Sequence, residues 1–536
     1  MRSASNADRA FVALFIVVAL VRLGLLLSSQ YHANGDDAAI GVMGQRILEG
    51  DRPLHPSLAD RHAGSALAGY VAAGVFAVLG ISEPALKVPP LMWSLVALVS
   101  LYMVVRATRG PEGALLVAML YASSVALIKW SFYSPGGYIV CQALFSIVLW
   151  LLLARVTAAG RARPWHDVLL GLLCGLGTAV LVLFAPAAAT VALFVALAGA
   201  TRPLWARISR FAAGFLLGCA PLLLFDRAVA QNAPHAFLGN LGALLPNLWY
   251  ALTLHLPAMM AYENIEGAPA LRLVPNGIAY AVLLCGVALF MAHRGPAPDR
   301  SVTGSRECEV PIEAPVLLYT ALYLLLYAVH PFGGGDARHL LPLEPGLSIL
   351  AGLGLREAIA RRRTAPILGW AAAVLAAMAI ANGSAQYARL FGDDRIHGTR
   401  GPLDPETAPA VAALLDERGV QHVVTDDWDV AWRMSFLTRG RIVGCHAVSE
   451  QRAWLADQDL HRTLRYAVVV RAGSHRDRAL ERRVDRADLP GERHVVLDKA
   501  VHVLGQPSGV PEPSQDWCPP DRLMEPVSFE LARATR

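Results

Sequence analysis

Apolar runs of about 15 to 20 residues with at most one charge each, the length a helix needs to cross a hydrocarbon core of about 30 Å, recur along this chain and leave it few folds. They occupy residues 10–28, 88–105, 113–128, 135–154, 168–184, 185–200, 211–225, 273–292, 314–329, 340–355 and 365–382. Ala185-Pro186 divides one long run into two, because proline breaks a helix interior but suits a first turn. Of the 536 residues 55% are hydrophobic and 17% charged, where an ordinary globular domain has roughly a quarter charged. The excess demands lipid as solvent. The fold class expected is a polytopic α-helical membrane protein of about eleven spans. The first run, Phe11 to Leu27, exceeds a signal-peptide core and no small-residue cleavage site follows it, so it is expected to remain as a span.

Charge sets the orientation. The net charge is +5, but the arginines lie in short loops rather than in one face or tail, which argues against nucleic acid as a partner. With the N-terminus inside, the clusters at 106–109, 155–163, 202–210, 294–306 and 356–363 fall in inner loops, while outer loops near the membrane hold the scattered Arg46, Arg52, Arg61, Lys87, Lys129, Arg227, Arg272 and Arg338. That is the positive-inside pattern. A twelfth apolar run, Ala63 to Ser82, would reverse every later loop if it crossed while the N-terminus stayed inside. Twelve spans with the N-terminus outside scores almost as well on charge. Arg2 and Arg9, close before the first span, favour eleven, with 63–82 as a re-entrant or interfacial helix.

Both surviving topologies put everything after Asn382 outside, and the composition changes there at once. Residues 1–382, with a first outer loop at 29–87, form the membrane domain; residues 383–536 are polar, rich in Arg and Asp, and punctuated by Pro and Gly. Strands are expected at 420–424, 441–445, 465–471 and 494–498, with helices at 404–417, 428–438, 449–464 and 474–484. That alternation describes a soluble α/β domain. Cys445 and Cys518 are the cysteines expected on the oxidising side, and pairing between them is expected on that ground. No CxxC or Cys/His ligand spacing occurs, which disfavours a structural zinc site.

Two clusters of polar residues stand out at the outer face. Asn34-Gly35-Asp36-Asp37 follows the first span and opens a segment, AAIGVMGQRILEG, whose apolar spacing suits an interfacial helix. Asp36 and Asp37 cap that helix or present a general base at the lipid interface. Arg61, His62 and Lys87 flank the 63–82 segment, and a later outer loop reads HPFGGGDARHLLPLEP, carrying Asp336, Arg338, His339 and Glu344. Arg338 either snorkels or meets a phosphate with its planar, permanently charged donor group. Arg22, inside the first span near its outer end, faces the same two readings.

GDDAAIGVMGQRILEGDRP, HAGSALAGYVAAGVFAVLG, SPGGY at 134–138 and ARHLLPLEPGLSILAG, in that order, resemble bacterial GT-C glycosyltransferases, the superfamily of protein O-mannosyltransferases and the lipid A aminoarabinose transferase. The resemblance spans roughly residues 10–382 and favours the eleven-span orientation. It implies that Asp36 is the catalytic carboxylate, that Asp37 stands where the family usually has Glu, and that Arg338-His339-Leu340-Leu341-Pro342 replaces its Arg-aromatic-Leu-Leu-Pro motif. Arg61-His62 is the nearest match to its Lys-Pro-Pro segment, and Pro135-Gly136-Gly137-Tyr138 stands in place of its second acidic motif.

The resemblance implies an inverting transfer from a polyprenyl-phosphate sugar, in membrane lipid, to a hydroxyl of an unnamed cell-envelope acceptor. A carboxylate of pKa about 4 is ionised at neutral pH and ready to take the hydroxyl proton. The phosphate leaving group needs charge stabilisation, which Arg338 and Arg61, with His62 and Lys87 near them, would supply. The expected site is the periplasmic face of a bacterial inner membrane. No cofactor is assigned, and a divalent cation stays open. The rival readings are a transporter or flippase of a lipid-linked substrate, against which stands the lack of paired, interrupted helices in two related halves, and a non-catalytic protein that binds a partner through its outer domain.

Overall fold

The computed structural model describes residues 5–28, 33–50, 66–132, 137–157, 163–197, 203–225, 241–256, 282–291, 311–329, 337–361, 407–425, 428–446, 466–486 and 491–504, with isolated helical positions at 378, 381 and 384–385. The chain forms two compact units, Met1–Tyr31 with Arg46–Thr399, and His32–Gln45 with Arg400–Arg536. The composition change places the boundary at 382/383 and the first loop with the membrane part. The contacts divide the chain at 399/400 and count His32–Gln45 with the C-terminal domain.

The first unit is helical. Helix α1 (Asn6–Ser28) is about 35 Å long at 1.5 Å per residue, enough to cross. It is tied to α4 (Glu83–Ala122) where Phe11 stacks on Tyr102 at 3.6 Å and Asp8 accepts from Tyr102 Oη at 2.7 Å and Arg106 Nε at 2.5 Å. Helix α4 runs on through the loop expected between residues 105 and 113, broken at Gly110, whose φ of 83° only glycine adopts readily. Pro111 follows, so the 40-residue element is two helices meeting at a kink. Between α1 and α4 come α2 (Gly35–Leu48) and α3 (Ala66–Leu79).

Helix α5 (Val125–Trp130) is short, and α6 (Tyr138–Thr157) is long and apolar enough to span. Helix α7 (Trp165–Val180) ends at extended Leu181. A 3-10 turn at Val182–Phe184 then leads into α8 (Ala185–Leu197), with Pro186 in its first turn as the sequence requires. Helix α9 (Leu204–Phe225) lies against α7. A Cβ at Gly171 or Gly175 would fall 2.0 or 2.1 Å from the carbonyl oxygen of Phe211 or Phe215, and one at Gly214 or Gly218 would fall equally close to Val168 or Leu172. Two small-xxx-small faces bring these backbones together, as packing in lipid favours. After α9 come α10 (Leu244–Tyr250), prolonged by a π-turn at Ala251–His255, α11 (Val282–Met291) and α12 (Glu313–Val329). The span expected at 340–355 begins instead as a 3-10 segment, Ala337–Leu343, and becomes helix α13 at Glu344–Arg361. Pro342 has no N–H for an α-helical ladder, which favours the tighter turn there.

The second unit holds α14 (Thr407–Glu417), β1 (His422–Thr425), α15 (Trp428–Leu437), β2 (Val443–His446), β3 (Tyr466–Arg471), α16 (His475–Arg486), β4 (Gly491–Val496) and β5 (Lys499–Leu504). The sheet order is β2-β1-β3-β5-β4; β1 pairs in parallel with β2 and β3, and β5 antiparallel with β3 and β4. Alternation divides its faces. Ala467, Val469, Val501 and Val503 pack with α14 and α15, while Tyr466, Val468, Val470, Ala500 and Leu504 pack with Leu480 of α16. The single strand expected at 494–498 is a hairpin turning at Leu497, whose φ is 53°. A non-glycine residue in that region gives little turn signal in sequence. Cys445 lies in β2; its expected partner Cys518 lies outside the described residues, as do the helix expected at 449–464 and nearly all of 365–382.

Candidate functional site

Helix α2 carries the two carboxylates in its first turn. Asn34 opens it: its Oδ1 accepts from the Asp37 backbone N–H at 2.8 Å and its carbonyl accepts from Ala38 N–H at 2.9 Å, an N-cap in which the side chain satisfies an otherwise orphan donor. Capping thus falls to Asn34 rather than to either aspartate. Asp37 is fully buried, whereas Asp36 keeps part of its surface.

The first unit gathers Tyr138, Arg338, His339 and Glu344. Three carbonyls of the 3-10 segment Ala337–Leu343 are taken up by side chains. Gln142 Nε2 donates to Leu341 O at 2.7 Å while Gln142 Oε1 accepts from Tyr121 Oη at 2.6 Å. Tyr319 Oη donates to Pro342 O at 2.7 Å, and Tyr323 Oη donates to His339 O. The Tyr138 hydroxyl shares a hydrogen bond with His339 Nδ1 at 2.8 Å, their rings meeting edge to face. Four side chains therefore bond the turn, with Tyr121 behind Gln142, and Arg338 and His339 stay partly exposed in it. Tyr138 is held in its turn by Gly137, where φ is 65° and a Cβ would strike Val180 at 2.4 Å.

Glu344 begins α13 directly behind the turn and is wholly buried, with Ser124, Gln142 and Arg22 as the polar side chains beside it. Arg22 does not snorkel. It is 2% exposed, and its Nη1 donates to Ser94 Oγ at 2.7 Å. Lys87 lies in the second turn of α4, buried. His255, in the π-turn, shares a short hydrogen bond with Tyr327 of α12. Arg61, His62 and Asp336 lie outside the described residues. Among the described residues no three His, Cys, Asp or Glu side chains converge as metal ligands. Sequence reasoning passed over Gln142, Tyr121, Tyr319 and Tyr323, and it considered Asp36 and Asp37 as the cap of α2 where the structure uses Asn34. The available signal was a glutamine and repeated tyrosines inside apolar spans, where polar groups need internal partners.

Tyr138 also lines an apolar crevice between α3, α4 and α6, walled by Leu67, Val71, Pro89, Pro90, Trp93 and Val140. The Tyr138 side chain thus borders this small crevice and bonds His339 of the arginine turn.

No family model and no curated protein matches the chain. Solved structures do. The crystal structure of ArnT from Cupriavidus metallidurans bound to undecaprenyl phosphate is 13% identical, with a TM-score of 0.57 over 94% of this chain and 99% of that one. The apo structure of the same protein is 12% identical, with a TM-score of 0.55 over 94% and 100%. ArnT is the lipid A aminoarabinose transferase, a GT-C glycosyltransferase, and this chain, a polytopic helical membrane protein with a C-terminal sheet domain, has its fold.

Proposed function

We propose that this protein is a GT-C glycosyltransferase of a bacterial inner membrane, transferring a sugar from a polyprenyl-phosphate donor to a hydroxyl acceptor with inversion, on the periplasmic face, where its C-terminal domain lies. The observation that carries the reading is the fold, shared with ArnT, which is solved with undecaprenyl phosphate bound. The Arg338-His339 turn, braced by the Tyr138 hydroxyl, offers a permanently charged donor group to the anionic head of such a lipid. Asp36 takes the acceptor proton as the hydroxyl attacks the anomeric carbon. The sugar–phosphate bond breaks, and Arg338, with Arg61, His62 and Lys87 as further cations, meets the charge left on the phosphate.

The test is release of polyprenyl phosphate from radiolabelled donor by purified protein in lipid, with the native acceptor fraction supplied. Asp36→Asn keeps size and polarity but loses proton acceptance, so turnover falls about 10²- to 10⁴-fold, the range for a general base, with donor affinity unchanged. Arg338→Ala weakens donor binding instead, and Asp37→Asn costs less than Asp36→Asn. A wild type without turnover on any lipid-linked sugar sinks the transferase reading in favour of transport or partner binding. Full turnover in Asp36→Asn shifts the base to Asp37 or Asp336.

A further inference from the structure

The sequence reading treats α2 as part of an outer loop of the membrane domain, yet its residues 35–45 belong to the compact unit of the C-terminal sheet. Two hydrogen bonds, one near each end, hold it there. The Gly35 backbone N–H donates to Asp429 Oδ1, and Gln45 Nε2 donates to Phe436 O at 3.0 Å. Both acceptors are on α15, Asp429 in its first turn and Phe436 near its end. Start meets start and end meets end, so the two helices run side by side in the same direction.

That direction has an electrostatic cost. Each helix start carries about half a positive charge in its unsatisfied N–H groups, and two starts side by side repel. Asp429 lies between them, first-turn acid of α15 and acceptor for the first N–H of α2, so one carboxylate offsets both. The place is also telling. Helix α15 begins three residues after β1, and β1 is the strand flanked by β2 on one side and β3 on the other. Open α/β sheets bind ligands outside the carboxyl end of such a strand. Here the chain's own Gly35-Asp36 comes to that edge.

We infer that the C-terminal domain is the seat of the carboxylate-bearing helix, and that Asp429 and Gln45 are positioning residues that set where Asp36 stands. The inference rests on the transferase reading for its effect on turnover, though not for the seat itself. Helix α2 is buried on nearly every side, from Gly35 and Asp37 through Gln45, so its own sequence offers no polar stripe to orient it. The two bonds to α15 supply the register.

The experiment uses full-length protein in nanodiscs with three variants, Asp429→Ala, Asp429→Asn and Gln45→Leu. Amide hydrogen exchange over residues 35–45 is read against residues 466–471 of β3, together with kcat, KM and undecaprenyl phosphate affinity. Asp429→Ala and Gln45→Leu each raise exchange over 35–45 at least tenfold, leave 466–471 protected, and lower kcat tenfold or more at unchanged lipid affinity. Asp429→Asn keeps an acceptor oxygen and recovers most of both losses. Unchanged exchange over 35–45 in Asp429→Ala overturns the proposal, as does a fall in lipid affinity with kcat intact. If Asp429→Ala also deprotects β3, Gln45→Leu decides, since it alters α2 alone. A wild type with no turnover ends the transferase reading while exchange still reports the seat.

Discussion

Gln142 offers the sharpest test of how the arginine turn is held. It is wholly buried in α6, bonded to Tyr121 Oη at 2.6 Å and to Leu341 O at 2.7 Å. Gln142→Leu is close in volume and leaves both partners stranded. In a soluble core a stranded buried polar group costs about 1–3 kcal/mol. Interhelical hydrogen bonds in lipid are weaker, averaging about 0.6 and reaching about 1.7 kcal/mol. Two such bonds sum to about 1–3 kcal/mol. If the loss falls on the geometry of Arg338 rather than on global folding, affinity for undecaprenyl phosphate drops roughly 10- to 100-fold, at about 1.4 kcal/mol per decade. Tyr121→Phe removes one bond and leaves Leu341 O satisfied, so it costs half as much or less. The two changes share Gln142, so the double variant is no worse than Gln142→Leu alone. Equilibrium lipid binding in detergent, with the thermal midpoint of each variant, measures both effects. Wild-type affinity and an unshifted midpoint in Gln142→Leu would refute the bracing argument.

Other outcomes follow from single features. At Gly175 a Cβ would lie 2.1 Å from Phe215 O, so Gly175→Leu forces α7 and α9 apart and destabilises by about 1–3 kcal/mol or more, while Gly74→Ala, with nothing within 4 Å, does not; thermal denaturation in one detergent compares them. Burial lowers the His422 pKa from its ordinary 6.5, so the unfolded chain binds the proton more readily. The stability that a neutral His422 contributes is present above pH 6.5 and is lost as the pH falls below it toward the folded value; pulse proteolysis of the intact protein at pH 7.5 and 5.5 reads this, and His422→Gln flattens it. A phosphatase reporter fused after Arg52 is active and one after Arg109, beside the Gly110 kink, is inactive; the reverse result overturns the orientation.

Much of the architecture was legible in one dimension. Apolar runs marked α1, α6, α7, α8 and α12, because hydrophobicity needs only the local sum of side chains and lipid thickness sets the length. The β1, α15, β2, β3 and α16 positions came within a residue or two, since alternation and helix-start residues are also local. The Asp36-Asp37 pair and the Arg338-His339 turn stood out as charges placed just beyond an apolar run.

What stayed hidden depends on which surfaces meet. Gln142 is one polar residue in an apolar helix until Leu341 and Tyr121 arrive on either side of it. Arg22 looked free to reach the interface until Ser94 and Glu344 stood beside it. Helix α2 carries almost no polar face, so nothing in its own pattern selects a neighbour, and only the packed chain, with Asp429 and Phe436 as its acceptors, assigns it to the C-terminal unit. Burial tendency is a property each residue carries along the chain; the partner of a buried polar atom is a property of two distant segments, and folding alone brings them together.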